Sequence, residues 1–223
     1  MTSATQNPAK RRRSPAPRKS AEPKFRRRAE ARPDEILDAA LAVFTEKGFA
    51  AARVDDIAVR AGISKGAVYL YFDSKEALLR GLIEREVAPV AHRLKALAEA
   101  GGEDPKATLT LLVTVATQLL GDPKLFATPK LVLSVAPVFQ EIAEYYRKRV
   151  VDEAVGAIAL LHRKGVDAMK FRDVDSDTVA RMVMGPLLFY AMRKHVLGAK
   201  DEVSPDARAK AHLEILFDGL VKS

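Results

Sequence analysis

The apolar residues between positions 33 and 79 recur at helical spacing, and glycines interrupt the pattern at short intervals. Pro33 suits the first position of a helix, because its missing N–H has no partner there in any case. Gly48 can adopt the left-handed conformation that ends this helix. A second, two-turn helix is predicted from Val54, and Gly62 is predicted to close it. The stretch therefore predicts three short helices and the start of a fourth.

Two helices joined by a four-residue turn that contains glycine form a helix-turn-helix, whose second helix lies in the major groove of DNA. The turn predicted here is residues 61–64, Ala-Gly-Ile-Ser, and the second helix is residues 65–72. Val68 and Phe72 are four residues apart and are expected to face inward. Small residues let the backbone approach the duplex, and phenols can donate to phosphate oxygens. The candidates for contact with DNA on and around this helix are Ser64, Lys65, Gly66, Ala67, Tyr69, Tyr71 and Lys75.

These residues resemble the DNA-binding domain of the TetR family of one-component transcription regulators. The matching motifs are Ile36-Leu37-x-Ala39-Ala40, Phe44-x-x-x-Gly48-Phe49, Asp56-Ile57-Ala58, Ala61-Gly62-Ile63-Ser64-Lys65-Gly66, Tyr69-x-Tyr71-Phe72 and Ser74-Lys75-Glu76-x-Leu78-Leu79. The resemblance implies an all-α homodimer that binds a palindromic operator in double-stranded DNA. It also implies a larger second region, which encloses a ligand cavity and pairs its last two helices with those of a second subunit.

One position departs from the family pattern. In the family, the position of Ala52 is often Thr or Ser, which caps the second helix and can contact a phosphate. Ala52 can do neither, at a cost of about 0.5–2 kcal/mol unless another group supplies the cap. Arg53, the next residue, is expected to restore a phosphate contact through its charge.

The basic charge of the chain is concentrated before the first predicted helix. Residues 1–32 contain eleven Lys and Arg and two Glu, which leaves 26 basic and 27 acidic residues for the rest. With four prolines and few large apolar side chains, residues 1–31 are predicted to be a disordered arm. Its position favours an arm that binds DNA, with a solubilising tail or a membrane-surface segment as the alternatives. The candidate contacts of the arm are Arg11, Arg12, Arg13, Arg26, Arg27 and Arg28.

The remaining sequence predicts a helix-turn-helix domain, residues 32–79, followed by a helical domain, residues 80–223. Asp73 is expected to open the fourth helix with capping-box spacing, and Pro89 is expected to kink it. Gly165 is predicted to end the seventh helix. The caps that start later helices are Asp104, Asp122, Asp175 and Ser204. These signals predict about nine helices, no strand and an all-α fold.

The last two helices carry apolar stripes that exceed what one buried face needs, so part of them is predicted to lie at a dimer interface. The inner positions are expected to be core. A cavity for an apolar or weakly polar organic effector is predicted among the fourth to eighth helices, because Met adapts to irregular ligands and aromatic rings stack on them. Its candidate residues are His92, Phe126, Phe139, Tyr145, Tyr146, Met169, Phe171, Met182 and Phe189.

No pattern in the sequence indicates an enzyme, a cofactor or a metal site. The four histidines are scattered, and none stands in an HExxH arrangement. The sequence contains no cysteine, no glycine-rich phosphate loop and no GxSxG motif. No apolar run reaches the roughly 18–20 residues that span a bilayer, and no secretory signal is recognisable, so the protein is expected to be cytoplasmic.

The prediction is a homodimeric, DNA-binding repressor that a small, largely apolar effector releases from its operator. Two alternatives stay open at this point. One is a DNA-binding regulator without a small-molecule effector, whose second region only dimerises or docks a protein. The other is a non-specific nucleic-acid binder that depends on the basic arm.

Overall fold

A computed structural model of the chain describes residues 24–101, 103–200 and 203–221, with side chains from Arg32 onward. By its internal contacts the chain divides into Met1–Arg32 and Pro33–Ser223. In the first unit only residues 24–32 are described, and they are helical. The second unit contains no boundary between residues 79 and 80, because one helix continues across them. The division into domains 32–79 and 80–223 therefore stays a prediction.

The described residues form nine helices and no named strand, so the predicted all-α fold is confirmed. Two of the nine, α4 and α7, are continuous helices that each contain one π-helical turn. The first three are α1 (Lys24–Lys47), α2 (Val54–Arg60) and α3 (Lys65–Tyr69). Helix α4 consists of Lys75–Leu82, the π turn Ile83–Val87 and Ala88–Ala100. Helices α5 and α6 are Pro105–Gly121 and Ala127–Val135. Helix α7 consists of Gln140–Tyr146, the π turn Arg147–Val151 and Asp152–Asp167; α8 is Ser176–His195 and α9 is Pro205–Leu220.

Several predicted caps are present. The side chains of Asp104, Asp175 and Ser204 each accept a hydrogen bond from the backbone N–H three residues later, at 3.1, 2.7 and 3.2 Å. Asp122 was expected to start a helix at once, but α6 begins only at Ala127. These caps satisfy N–H groups that have no partner inside the helix.

Besides the start of α6 and the end of α3, three predicted boundaries are wrong. Helix α1 begins at Lys24, so Pro33 lies inside it, and residues 24–31, expected in the disordered arm, are helical. Ala, Glu and Arg dominate this segment and favour a helix. Helix α4 is capped by Ser74 rather than by Asp73, since the Ser74 Oγ accepts from the Ala77 N–H at 3.0 Å. Pro89 is the second residue after the π turn of α4 and lies inside the helix.

Gly165 is the third wrong boundary, because α7 continues past it to Asp167. Gly165 is buried, and a Cβ atom at this position would overlap the ring of Phe171. Phe171 is buried too and forms an isolated antiparallel bridge with Val221. The glycine is therefore needed for the close approach of an aromatic ring and does not end the helix.

His162 stacks on the same ring, with centroids 6.0 Å apart. Its Nε2 lies 3.2 Å from the carbonyl oxygen of Arg172, which can only accept, so Nε2 carries the proton. Nδ1 then accepts from the Ser176 hydroxyl at 2.8 Å. Burial lowers the pKa of His162, which fits a neutral imidazole with a structural role.

The buried apolar residues form two clusters. The first joins α1, α2, α3 and the start of α4 to α6 and α7, through residues such as Phe44, Phe49, Leu131 and Ile142. The second joins α5, α7, α8 and α9 around Leu109, Leu161 and Leu187. The first cluster means that the N-terminal helices share their core with the larger helical region.

We predict that Gly165→Ala destabilises the protein by about 1–3 kcal/mol, the typical cost of overpacking a core. Gly156→Ala is the matched control on the same helix, because Gly156 is exposed and a Cβ there meets nothing within 4 Å. That change should stabilise the protein by about 0.5–1 kcal/mol through the lower backbone entropy of alanine. Urea unfolding followed by circular dichroism measures both. Equal effects of the two substitutions would contradict the proposed contact with Phe171.

Candidate DNA-binding surface and ligand cavity

The helix-turn-helix is built as the sequence predicts, although its second helix is shorter. Gly62, in the turn, has φ +67°, a conformation that a residue with a side chain adopts only with strain. Helix α3 ends at Tyr69 rather than at residue 72. The Ser64 Oγ accepts from the Ala67 N–H at 3.2 Å and caps α3. Val68 is fully buried, so the opposite side of α3 faces outward.

Most of the predicted contact residues on α3 are exposed. Lys65 and Gly66 are exposed, and Tyr69 and Tyr71 retain 46% and 39% of their surface. The Lys65 ammonium pairs with Asp55 at 3.0 Å, an exposed ion pair that a phosphate could displace.

Two predicted contributors are already engaged within the protein. The Ala67 N–H is bound inside the cap of α3, so its backbone donor is not available to DNA. The Lys75 ammonium donates to the carbonyl oxygens of Phe49 and Ala50 at 2.8 and 3.1 Å and lies over the Phe49 ring. Lys75 therefore fastens the end of α1 to α4, and its third N–H is left for a phosphate.

Arg53, rather than Ala52, is the residue that precedes α2. Ala52 is buried, and the Arg53 N–H donates to the Asp56 carboxylate at 3.2 Å. A hydrogen bond from Lys47 lowers the pKa of Asp56 and keeps it charged. Asp56 thus supplies the helix-side half of a capping box, by accepting from the N–H of the N-cap residue. The Arg53 guanidinium is exposed at the start of α2, where its charge helps to lower the pKa of Asp56.

The structure describes only the backbone of residues 24–31 of the basic arm. Arg11, Arg12 and Arg13 lie outside the described residues. Arg26, Arg27 and Arg28 lie in the first turns of α1, of which only the backbone is described. Their contact with DNA stays a prediction.

A cavity of about 530 Å³ lies among α4, α5, α6, α7 and α8. Its walls are apolar, with Glu86, Tyr146, Arg147 and Arg181 as the polar side chains. Burial raises the pKa of Tyr146 to about 12, so its hydroxyl is a neutral donor. Both π turns contribute to the wall, α4 through Glu86 and Val87, and α7 through Arg147, Val150 and Val151. The volume falls within the roughly 300–1,000 Å³ of small-molecule sites.

Two of the nine predicted cavity residues, Phe126 and Tyr146, line it. Phe139 instead packs edge-on against Phe49, and Phe171 belongs to the second core. The Tyr145 hydroxyl donates to Glu84 at 2.6 Å. The remaining four, His92, Met169, Met182 and Phe189, are exposed, so the structure places them outside the wall as well.

The π turn of α4 connects three parts of the structure through consecutive side chains. Glu84 accepts two hydrogen bonds from Arg149 in the π turn of α7, at 2.7 and 2.8 Å, and this contact lowers its pKa to about 2. Arg85 pairs with Asp38 on α1 at 2.8 Å and with Glu86 at 2.7 Å. Glu86, in the cavity wall, also accepts from the Thr128 hydroxyl of α6. Glu86 and Arg85 therefore link the wall of the cavity to Asp38 of α1.

The outer surface of α8 and α9 carries a groove of about 710 Å³. Its exposed apolar side chains include Met182 and Ile215, which keep 63% and 77% of their surface. The inner positions of the two predicted stripes are buried instead: Val179, Val183, Leu187, Ala191, Leu213 and Leu220.

Sequence reasoning missed two kinds of residue. Leu70, at the end of α3, is 82% exposed and was not among the predicted contacts. Val87, Val90 and Leu94 line the cavity from one face of α4. Their spacing of three and four residues is a signal that could have identified this face as a wall.

Two kinds of sequence comparison agree with this arrangement. Residues 36–82 match the family model "Bacterial regulatory proteins, tetR family". An uncharacterised HTH-type transcriptional regulator of Mycobacterium tuberculosis is 30% identical over 166 residues, which cover 73% of this chain and 78% of that protein. The HTH-type transcriptional repressor KstR2 of Rhodococcus jostii is 28% identical over 83% of this chain and 89% of its own. For the uncharacterised regulator YerO of Bacillus subtilis, 35% identical over 116 residues, the match covers 52% of this chain but 40% of that protein.

Solved structures share the fold. A TetR-family regulator from Mesorhizobium loti superposes with a TM-score of 0.73 at 21% identity, over 87% of this chain and 99% of that one. The SmeT–triclosan complex, whose protein represses a Stenotrophomonas maltophilia efflux pump, gives 0.69 at 24% identity, over 86% and 93%. FadR from Bacillus subtilis in complex with stearoyl-CoA gives 0.63 at 21% identity, over 83% and 97%. Among the described residues, no helix is both long and apolar enough to cross a membrane.

We predict that Arg53→Ala weakens binding to all duplexes by a similar factor and lowers the slope of log affinity against log salt by about one. The reason is that an exposed guanidinium at this position would neutralise one phosphate. Arg163→Ala, at an exposed arginine of α7, is the control and should leave both quantities unchanged. Fluorescence anisotropy with labelled duplex over a salt series measures them. Unchanged affinity of Arg53→Ala would contradict the contact.

Proposed function

Because the chain belongs to the TetR family of helix-turn-helix transcriptional regulators, we propose that it is a repressor released from its operator by a small, largely apolar effector. The observation that supports release by an effector is the cavity of about 530 Å³, whose wall includes part of the helix that follows the helix-turn-helix. A regulator without a small-molecule effector would not need such a cavity.

The proposed DNA contact uses α3 in the major groove of each half-site. Lys65 and the Gly66 backbone lie at the start of α3, where first-turn N–H groups lack intrahelical acceptors. Tyr69 and Tyr71 would donate to phosphates, and Arg53 would add a charge from α2. The basic residues of the arm would raise affinity with little effect on sequence preference.

Dimerisation through α8 and α9 follows from the same proposal. One five-residue recognition helix reads too few bases for useful specificity, whereas a two-fold dimer reads two half-sites. The exposed Met182, Phe189 and Ile215 on α8 and α9 would be covered in such a dimer.

The effector proposed here is apolar, because the wall offers few polar groups to pair with a charged ligand. The solved neighbours include one regulator in complex with stearoyl-CoA and one in complex with triclosan. Both compounds are therefore suitable first members of a screen. Arg147 and Arg181 are paired with Asp152 and Asp177, so an acidic head group would have to compete with these carboxylates.

Release is proposed to pass through the π turn of α4. A ligand that touches Glu86 or Val87 changes the position of a turn whose neighbour Arg85 holds Asp38 of α1. A π turn inside an α-helix has an altered hydrogen-bond register and is frequent at functional sites, so this turn is the proposed two-state element. The effector must bind the released form more tightly than the DNA-bound form, since it can shift the equilibrium only by that difference.

We predict that Val90→Trp weakens release by the effector while operator binding is retained, because the indole fills part of the cavity from α4. Ala96→Trp is the control, at an exposed position of the same helix segment. Apolar compounds, beginning with stearoyl-CoA and triclosan, are screened for release of operator DNA from wild type. The apparent effector affinity of Val90→Trp should fall at least about tenfold, or ~1.4 kcal/mol. Equal release from wild type and Val90→Trp would contradict a ligand site in this cavity.

We predict that Arg85→Met uncouples the two sites. It removes the link from the cavity wall to α1, so both ligands should still bind while their mutual effect shrinks by about tenfold, within the usual 1–3 kcal/mol of allosteric coupling. Arg93→Met is the control, because Arg93 hydrogen-bonds only within its own helix, to the Pro89 carbonyl. The measurement is the ratio of operator Kd values with and without saturating effector. An unchanged ratio in Arg85→Met would exclude this route.

A further inference from the structure

Leu70 stands out on the surface of the helix-turn-helix. At 82% exposure it is the most exposed large apolar side chain among the residues that the structure describes. Single exposed leucines are common and need no explanation by themselves. The position of this one within the recognition element is what gives it meaning.

Helical geometry places Leu70 directly opposite the core. Its φ and ψ of −68° and −22° continue the helical turn of α3. At about 100° per residue, Leu70 lies about 200° from the fully buried Val68. Gly66, four residues earlier, lies on the same outward ridge of α3 and has no side chain. Leu70 therefore projects further outward than the rest of this ridge.

The rest of that ridge offers little for hydrogen bonding to a base edge. Gly66 and Ala67, which flank Leu70 on the outward side of α3, have no polar side-chain atom. Apolar side chains recognise one feature of the major groove, the C5-methyl group of thymine. This ridge therefore suits recognition by contact with methyl groups.

We propose that Leu70 determines part of the operator sequence by packing against the methyl group of a thymine at one fixed position of each half-site. The inference rests on the proposed function, that is, on sequence-specific binding of α3 in the major groove. It adds a specificity-determining residue to that function.

The test uses uracil, which differs from thymine only in lacking the methyl group. The full-length protein is first used to select bound duplexes from a random pool, and the enriched half-site is then remade with each thymine replaced in turn by uracil. At one position, uracil should weaken binding of the wild type by about fourfold per half-site, the factor expected from one buried methyl group. Leu70→Ala should bind the thymine and uracil duplexes equally at that position.

Val59→Ala is the matched control, because Val59 is 81% exposed on α2 and truncation removes a similar apolar surface. It should keep the wild-type preference for thymine. The inference is overturned if no thymine is sensitive, if Leu70→Ala retains the preference, or if Val59→Ala loses it as well. A pool in which no sequence is enriched would overturn the proposed function and this inference with it. An enriched site with none of the expected uracil effects would overturn the inference alone.

Discussion

The contact of Phe49 with Phe44 and Phe139 joins the N-terminal helices to the rest of the helical body. The ring centroids are 5.1 Å apart in both pairs, and the Lys75 ammonium lies over the Phe49 ring from the start of α4. Aromatic pairs at this separation contribute about 0.5–1.5 kcal/mol beyond the area they bury. Because the same cluster contains residues of α6 and α7, the helix-turn-helix cannot move as an isolated domain. Any displacement of α3 must involve a rearrangement of this shared core.

Because the helix-turn-helix shares its core with the rest of the protein, any movement of α3 depends on where the surrounding helices can adjust, and the two π turns are candidates for such places. They face each other across the bidentate contact between Glu84 and Arg149, and both line the cavity. A close-packed core transmits small displacements rather than absorbing them. In each of the two helices, the π turn is the place where the hydrogen-bond register departs from the α-helical pattern. The combination of a rigid core and two adjustable turns beside a cavity is suited to a two-state response.

The sequence revealed the features that depend on one residue and its immediate neighbours. Gly48 and Gly62 have φ of +77° and +67°, as a helix end and a tight turn require, and Asp175 caps its helix as predicted. The prediction that Gly165 ends a helix was wrong because the role of Gly165 depends on its contact with Phe171, which the local sequence does not encode. Of the residues proposed for the cavity from their chemistry, Phe126 and Tyr146 line it and the others lie elsewhere, since packing decides which face of a helix becomes a wall. Phe139 and Phe171 serve the core, whereas small and aliphatic residues such as Val90 line the cavity.

The distribution of charge separates affinity from specificity. Residues 33–223 carry 26 basic and 27 acidic residues, and Lys47, Arg60 and Lys65 in the helix-turn-helix are paired with carboxylates at 2.7–3.0 Å. Such a body carries almost no net positive charge, so it attracts a polyanion only weakly. The eleven basic residues of the first 32 would then supply most of the electrostatic attraction, which is independent of sequence. If the proposed function holds, discrimination between operators would be left to the short outward ridge of α3, where Gly66 would permit close approach and Leu70 projects outward.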